Sequence, residues 1–275
     1  ISDIWSYGYM IKNNFGIPNN TNCINHVWDK STEFINEPEI SYNRRNGIYH
    51  NHNILSFSKN EFSYIKDHII GDNMIFPTVG YIDIICRYFN NAKNLIIHDV
   101  EINNMYIPTD DNIVFNVEKY NNNVKLNSKD NKINFFKCIV NEDDGINEKF
   151  NLDNYIENCH SNIDDKEAYN IMKFKNFNFG SQMKSISKFY YGDSYCIIEL
   201  KENLNENYLI NPVYLDSCLT SSIIYMSYLI TITYLPTKID KIVINTEGRG
   251  KAKYVFTQII ECDYNNMIQE SYLLD

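Results

Sequence analysis

The sequence predicts an α+β chain built from two similar units in tandem, each a long apolar helix set among antiparallel strands. Three observations predict it. Two apolar segments of helical length, Thr78 to Asn91 and Val213 to about Tyr228, lie one in each half. Each is followed by short runs of β-branched and aromatic residues between Asn/Asp turns. An acidic, polar stretch at 141–168, with Glu142-Asp143-Asp144-Gly145 and Asp164-Asp165-Lys166-Glu167, separates the halves.

Residues 1–47 read as a linker. They carry Gly8, Gly16, Pro18 and Pro38, then the polar run Asn43-Arg44-Arg45-Asn46-Gly47, with Trp5, Trp28 and Phe34 as anchors. Residues 48–140 form the first unit. Asn53 to Phe57 suits a strand, and Tyr64 to Pro77 is mixed, with a turn at Gly71-Asp72-Asn73. Thr78 can cap the following helix, where Val79, Ile82, Ile85 and Tyr88-Phe89 recur on one face. Strands are expected at Asn94 to Val100, Ile113 to Val117 and Lys132 to Val140.

After the 141–168 linker, residues 169–275 form the second unit. Met183 to Phe189 and Tyr195 to Leu200 read as strands, Asn211-Pro212 opens the second helix, and strands follow at Ile230 to Tyr234, Lys241 to Asn245 and Lys253 to Cys262. A helix wrapped by an antiparallel sheet is a hotdog unit. Two in tandem make a double hotdog, whose sheets can pair edge to edge and cover both open edges.

The chain has 275 residues, 44% of them hydrophobic, enough for one large domain or two small ones. It begins at Ile1 and ends at Leu273-Leu274-Asp275 within strand-like sequence, so it reads as a piece of a longer polypeptide. A net charge of −10 argues against a nucleic-acid partner, and Arg249 to Lys253 reads as a solvated turn. Seven cysteines with no CxxC pair point to free thiols in a reducing, cytoplasmic compartment rather than to disulfides or zinc. Ser217 to Thr237 holds no charge, but its hydroxyls and Pro236 favour a buried central helix over a membrane span.

Two stretches carry chemistry. In Asp67 to Pro77 a histidine, His68, precedes a turn and a Pro-led helix start. A base so placed has a near-neutral pKa, and the adjacent helix N-terminus can receive oxyanion charge. In Asn211 to Thr220 one carboxylate, Asp216, stands inside an apolar segment. A buried Asp without a partner is held neutral and can donate a proton. Both stretches fall at the start of the two matching helices.

"YIKDHIIGDNMIFPTVGY", Tyr64 to Tyr81, resembles the HxxxGxxxxP signature of the dehydratase domains of type I polyketide and fatty-acid synthases, with the His68-to-Pro77 spacing kept. "NPVYLDSCLT", Asn211 to Thr220, is similar to their second signature, with Pro212 and Leu215-Asp216 in place. "YLPTKIDKIVI", Tyr234 to Ile244, resembles the strand entry that follows, and "NHVWDKSTEFINEP", Asn25 to Pro38, the tail of the linker after the acyltransferase.

Three positions depart from the family pattern. Asp72 stands where the motif has Gly, with Gly71 one residue earlier, and Asp tolerates left-handed angles. Thr220 stands where a Gln or His orients the acid. "FNFGSQM", Phe177 to Met183, keeps the aromatic-Gly pair Phe179-Gly180 of a YGxxF element and lacks its Tyr. The family also implies a further strand or two, so the second unit reads as truncated.

The resemblance implies dehydration of a β-hydroxyacyl thioester, with His68 removing the α-proton and Asp216 protonating the leaving hydroxyl. It implies no metal and no cofactor bound by this domain. The phosphopantetheine arm would come with acyl carrier protein. Acyltransferase, ketoreductase and ketosynthase domains would be neighbours in the same chain, and a homodimer is implied by the family alone. Two alternatives stand beside it: a catalytically degenerate double hotdog that dimerises or spaces, and a product-template-like domain that cyclises polyketides. His50-Asn51-His52 lacks a third metal ligand, His98-Asp99 reads as a turn, His26 and His160 lie in linkers, and Cys218 has no activating base.

Overall fold

A computed structural model of the chain describes residues 4–11, 49–51, 54–60, 62–89, 94–142, 150–202, 210–228, 235–245, 252–262 and 266–275. The first half holds β1 (Ile4–Ile11), β2 (Tyr49–Asn51), β3 (Ile54–Ser58), α1 (Ser63–Asp67), β4 (Ile69–Ile70), β5 (Asn73–Met74), α2 (Thr78–Tyr88), β6 (Asn94–Ile102), β7 (Asn112–Tyr120), β8 (Asn123–Asn127) and β9 (Asn134–Glu142). The second holds α3 (Leu152–Glu157), β10 (Ser161–Asp164), α4 (Asp165–Phe174), a 3-10 turn at Ser181–Met183, β11 (Ile186–Tyr191), β12 (Tyr195–Leu200), α5 (Pro212–Tyr225) with a 3-10 continuation Met226–Tyr228, β13 (Leu235–Asn245), β14 (Tyr254–Cys262) and β15 (Asn266–Leu274).

Among the described residues, thirteen strands pair in the order β10-β11-β12-β14-β15-β1-β13-β6-β9-β8-β7-β3-β2, every pair antiparallel. The two halves join where β13 pairs with β6, setting Ile242 opposite Ile97 and Ile244 opposite Leu95. All four are buried, so this seam is part of the core and not only a backbone ladder. The expected edge-to-edge joining of two hotdog sheets is what the register shows.

Both central helices are buried on every side: Val79 to Cys86 in α2 and Pro212 to Ile224 in α5. Each is therefore buried all round rather than on the single face expected for the first helix. The two helices touch each other, which brings their N-terminal regions toward one site. A buffer of hydroxyls serves α5 internally. Ser217 donates to the Val213 carbonyl and Thr220 to the Asp216 carbonyl, and Ser217 also pairs with the Ser185 hydroxyl.

Several expectations are corrected. Ile4–Ile11, assigned to a linker, is a strand between β15 and β13. Its alternating aromatics outweighed the Gly and Pro that follow. Consequently β15, a strand not foreseen after Cys262, is paired on both sides by β14 and β1, and among the described residues the sheet ends at β10 and β2. The 141–168 stretch is not plain linker: it contains α3, β10 and the start of α4, which Asp164 caps by accepting the Glu167 N–H at 2.9 Å. The N-cap of α2 is Pro77, in extended conformation, and Thr78 is the first helical residue. β8 was not foreseen; Asn121, at φ 52°, turns the chain into it. His160 begins the segment entering β10 rather than lying in open linker, and His98-Asp99 falls inside β6 at a bulge, with Asp99 at φ 51°. The strand expected at Ile230 to Tyr234, the Arg249 to Lys251 turn, and Cys23, His26, Trp28, Phe34 and His52 lie outside the described residues.

Candidate active site

His68 ends α1 as its C-cap, and Ile75, after the β4–β5 hairpin, holds it twice. The Ile75 N–H donates to the His68 carbonyl at 3.1 Å, and the His68 ring bonds the Ile75 carbonyl through Nδ1 at 2.7 Å. A carbonyl only accepts, so Nδ1 carries the proton and Nε2 keeps its lone pair. Burial lowers the His68 pKa to about 4, against the opposing pull of the Ile75 hydrogen bond. The ring is thus neutral at pH 7 with its basic nitrogen free.

The hairpin is shaped by Gly71, whose φ of 61°, at the first of two loop positions, lies in the left-handed region that Gly enters at no steric cost. The residue standing where the signature has Gly, Asp72, does not take the left-handed angle; Gly71 does. Residues 176–182 lie alongside. The Gly71 N–H donates to the Asn176 carbonyl at 2.6 Å, the Asn178 amide to the Gly71 carbonyl at 2.7 Å, and the Gly180 N–H to the Asp67 carbonyl at 2.8 Å. The Asp67 carboxylate accepts the Gln182 N–H at 2.6 Å. A Cβ on Gly180 would fall 2.3 Å from Asp67 Cγ, so only Gly permits this approach. Phe179 packs its ring 5.0 Å from that of His68. The shortened aromatic-Gly element therefore braces the base.

Asp216 enters from α5. Asn211 caps that helix by accepting the Val213 N–H at 3.0 Å, Pro212 takes the first helical position, and Leu215 is buried beneath. The Asp216 carboxylate is 5% exposed, and among the described residues no hydrogen bond reaches it. Burial raises its pKa to about 7. Asp83, on α2, is the instructive contrast. It is as deeply buried but is held by Arg87 at 2.9 Å and the Tyr64 hydroxyl at 3.2 Å, a satisfied structural carboxylate that sequence reading missed.

His68 Nε2 and Asp216 Oδ1 stand 3.9 Å apart. That distance would suit an ion pair, but burial pushes both groups toward their neutral forms and so disfavours one. The expectation that both residues head equivalent helices is corrected. Asp216 is the fifth residue of α5, while His68 precedes a hairpin and α2. Thr220, which stands where the family pattern has a Gln or His that orients the acid, donates to the Asp216 backbone carbonyl at 2.8 Å and not to its carboxylate.

A cavity of about 140 Å³ opens on the pair. Ile70, Ile75, Phe76, Ile102, Phe177 and Leu219 supply its apolar wall, and Thr78 at the start of α2 and Pro236 on β13 also face it. Asp216, Thr220 and Ile223 line it together, so it runs along about two turns, roughly 10 Å, of α5. Among the described residues no cluster of His, Cys, Asp and Glu could hold a metal. Burial pushes the Cys218 thiol up, which leaves it inert.

Residues 147–259 match the family model described as polyketide synthase dehydratase N-terminal domain. The matched stretch is the chain's second half, which carries Asp216. Over that stretch the chain is similar to polyketide synthase dehydratase domains. Probable polyketide synthase 10 of Dictyostelium discoideum is 28% identical over 243 residues, covering 74% of this chain and 10% of that protein. The chain thus spans about a tenth or less of the length of the curated relatives it matches. Two crystal structures of CurK dehydratase share the fold. One, with an aspartate changed to asparagine, has a TM-score of 0.64 at 18% identity, covering 85% of this chain and 94% of that one. The other, with a histidine changed to phenylalanine, has a TM-score of 0.65 at 18% identity, covering 84% and 95%. Both are described as inactive mutants.

Proposed function

We propose that this dehydratase domain removes water from a β-hydroxyacyl thioester delivered on acyl carrier protein, with His68 as general base and Asp216 as general acid. One observation carries the assignment: an imidazole whose Nε2 is free and a buried carboxyl face each other at 3.9 Å on the wall of an apolar cavity. Elimination of water needs one group to take the α-proton while another gives a proton to the departing hydroxyl. Only burial sets these two groups to those states at one pH. The described inactivity of the histidine and aspartate variants of CurK dehydratase supports the same two residue types.

The step balances simply. His68 Nε2 takes the α-proton, the electron pair forms the α,β double bond, and the β-hydroxyl leaves as water with the Asp216 proton. The positive N-terminal end of α2, which begins at Thr78 beside the cavity, favours the charge that builds on the thioester oxygen. The apolar walls fit an acyl chain. The carrier's phosphopantetheine arm, neighbouring acyltransferase, ketoreductase and ketosynthase domains, and a cytoplasmic setting in keeping with the free thiols complete this reading.

The test is product analysis. The chain is incubated with a β-hydroxyacyl pantetheine thioester and followed by mass spectrometry. An α,β-unsaturated thioester, lighter by one water, is expected. A cyclised product without that intermediate would indicate ring closure instead, and unchanged substrate with a folded protein would indicate a structural domain.

A further inference from the structure

Two hydroxyls on the cavity wall have no role in the chemistry above. Tyr81, one turn beyond Thr78 on α2, is 1% exposed, and its Oη is buried with no hydrogen-bond partner among the described residues. Thr237, the third residue of β13, has its Oγ1 buried and equally unpartnered. Both residues line the cavity that holds His68 and Asp216. The rest of the Tyr81 ring is fixed by Phe76 at 4.7 Å and by stacking on Phe136 at 5.2 Å, so the hydroxyl cannot swing out to find water.

A buried hydroxyl without a partner is costly, and phenylalanine or valine would fill the same volume without that cost. Some buried hydroxyls of the second unit are paired, Ser221 with Thr257 at 2.7 Å and Thr257 with Ser271 at 2.9 Å, while the Ser227 hydroxyl, also without a partner among the described residues, belongs to a residue that does not line the cavity. The two orphans thus stand out by facing the cavity.

Resting on the dehydratase reading, we infer that Tyr81 Oη and Thr237 Oγ1 form a polar subsite for an oxygen substituent, hydroxyl or keto, on the acyl chain beyond its β-carbon. A hydroxyl can donate or accept, so each serves either substituent. The subsite would make this cavity select an oxygenated chain over a saturated one of equal length.

Binding tests the subsite separately from turnover. His68→Ala protein, which keeps both hydroxyls, is titrated with two β-hydroxyacyl pantetheine thioesters of equal length, one bearing a distal hydroxyl. The oxygenated ligand is expected to bind about tenfold more tightly, a typical gain when buried polar groups are paired. Tyr81→Phe or Thr237→Val in that background should bring the ratio of Kd values toward one. Equal affinities in the parent, or a ratio that both variants leave intact, overturn the subsite whatever the wild type turns over. Wild-type protein that binds with the expected ratio yet dehydrates neither thioester overturns the dehydratase reading and leaves the subsite standing. The melting temperature of Tyr81→Phe is the second check. It should not fall, because no bond is lost, and a clear fall would show that the hydroxyl already has a partner.

Discussion

The Ile75 carbonyl receives the Nδ1 proton of His68 at 2.7 Å, and that one bond decides which ring nitrogen faces Asp216. Because Ile75 follows the hairpin that Gly71 turns, the tautomer of the base depends on the backbone bend at 69–74.

The brace behind that bend is testable. Gly180→Ala puts a Cβ against the Asp67 carboxylate, where 2.3 Å leaves no room. The variant is expected to lose roughly 1–3 kcal/mol of stability, as overpacking does, and to dehydrate more slowly because Asp67 adjoins His68. Asp67→Ala opens the space, so the double variant should unfold at a higher denaturant concentration than the sum of the single effects allows.

Activity should follow the two pKa values. The base works when unprotonated, above about 4, and the acid when protonated, below about 7. The kcat/KM profile is therefore expected to be level between these limits and to fall above pH 7. A profile that rises from pH 7 to 9 would contradict the assigned states.

Asp216 also burdens stability. Its folded pKa of about 7 lies above the ordinary 3.8, so between those values the folded chain keeps a proton the unfolded chain has released. Stability contributed by this group falls as pH rises through that window, and the loss is complete above pH 7. Asp216→Asn should abolish dehydration and yet raise the melting temperature at pH 8, by the equivalent of roughly 1–4 kcal/mol. The gain should shrink toward pH 4. His68, with its lowered folded pKa, destabilises both proteins alike as pH falls below 6.5 through about 4, so it cancels from the difference.

Thr220 is expected to matter little. Its hydroxyl serves a backbone carbonyl within α5, so Thr220→Val should keep dehydration within about tenfold of the parent. Loss comparable to that of Asp216→Asn in the same assay would show that it does orient the carboxylate.

What the sequence displayed depended on how local the signal was. The His68-to-Pro77 spacing and the uncharged run around Asp216 are contiguous, and both were legible. β1 was hidden because Gly and Pro next to it weigh against a strand, and only a partner at β13 and β15 makes it one. The start of α4 was hidden by acidic residues that serve its cap. Asp83 and Asp216 look alike in sequence, each an acid within an apolar helix. Arg87 and Tyr64, reached only in the folded chain, tell them apart. Tyr81 and Thr237 read as ordinary core and strand residues until the fold leaves both hydroxyls at one cavity.

The most direct test compares His68→Ala and Asp216→Ala with the parent in dehydrating a β-hydroxyacyl pantetheine thioester, with circular dichroism confirming that all three fold. Loss of enoyl thioester formation by at least about a hundredfold in each variant is the expected result. Turnover at the parental rate by both folded variants would contradict the assignment of this pair as base and acid.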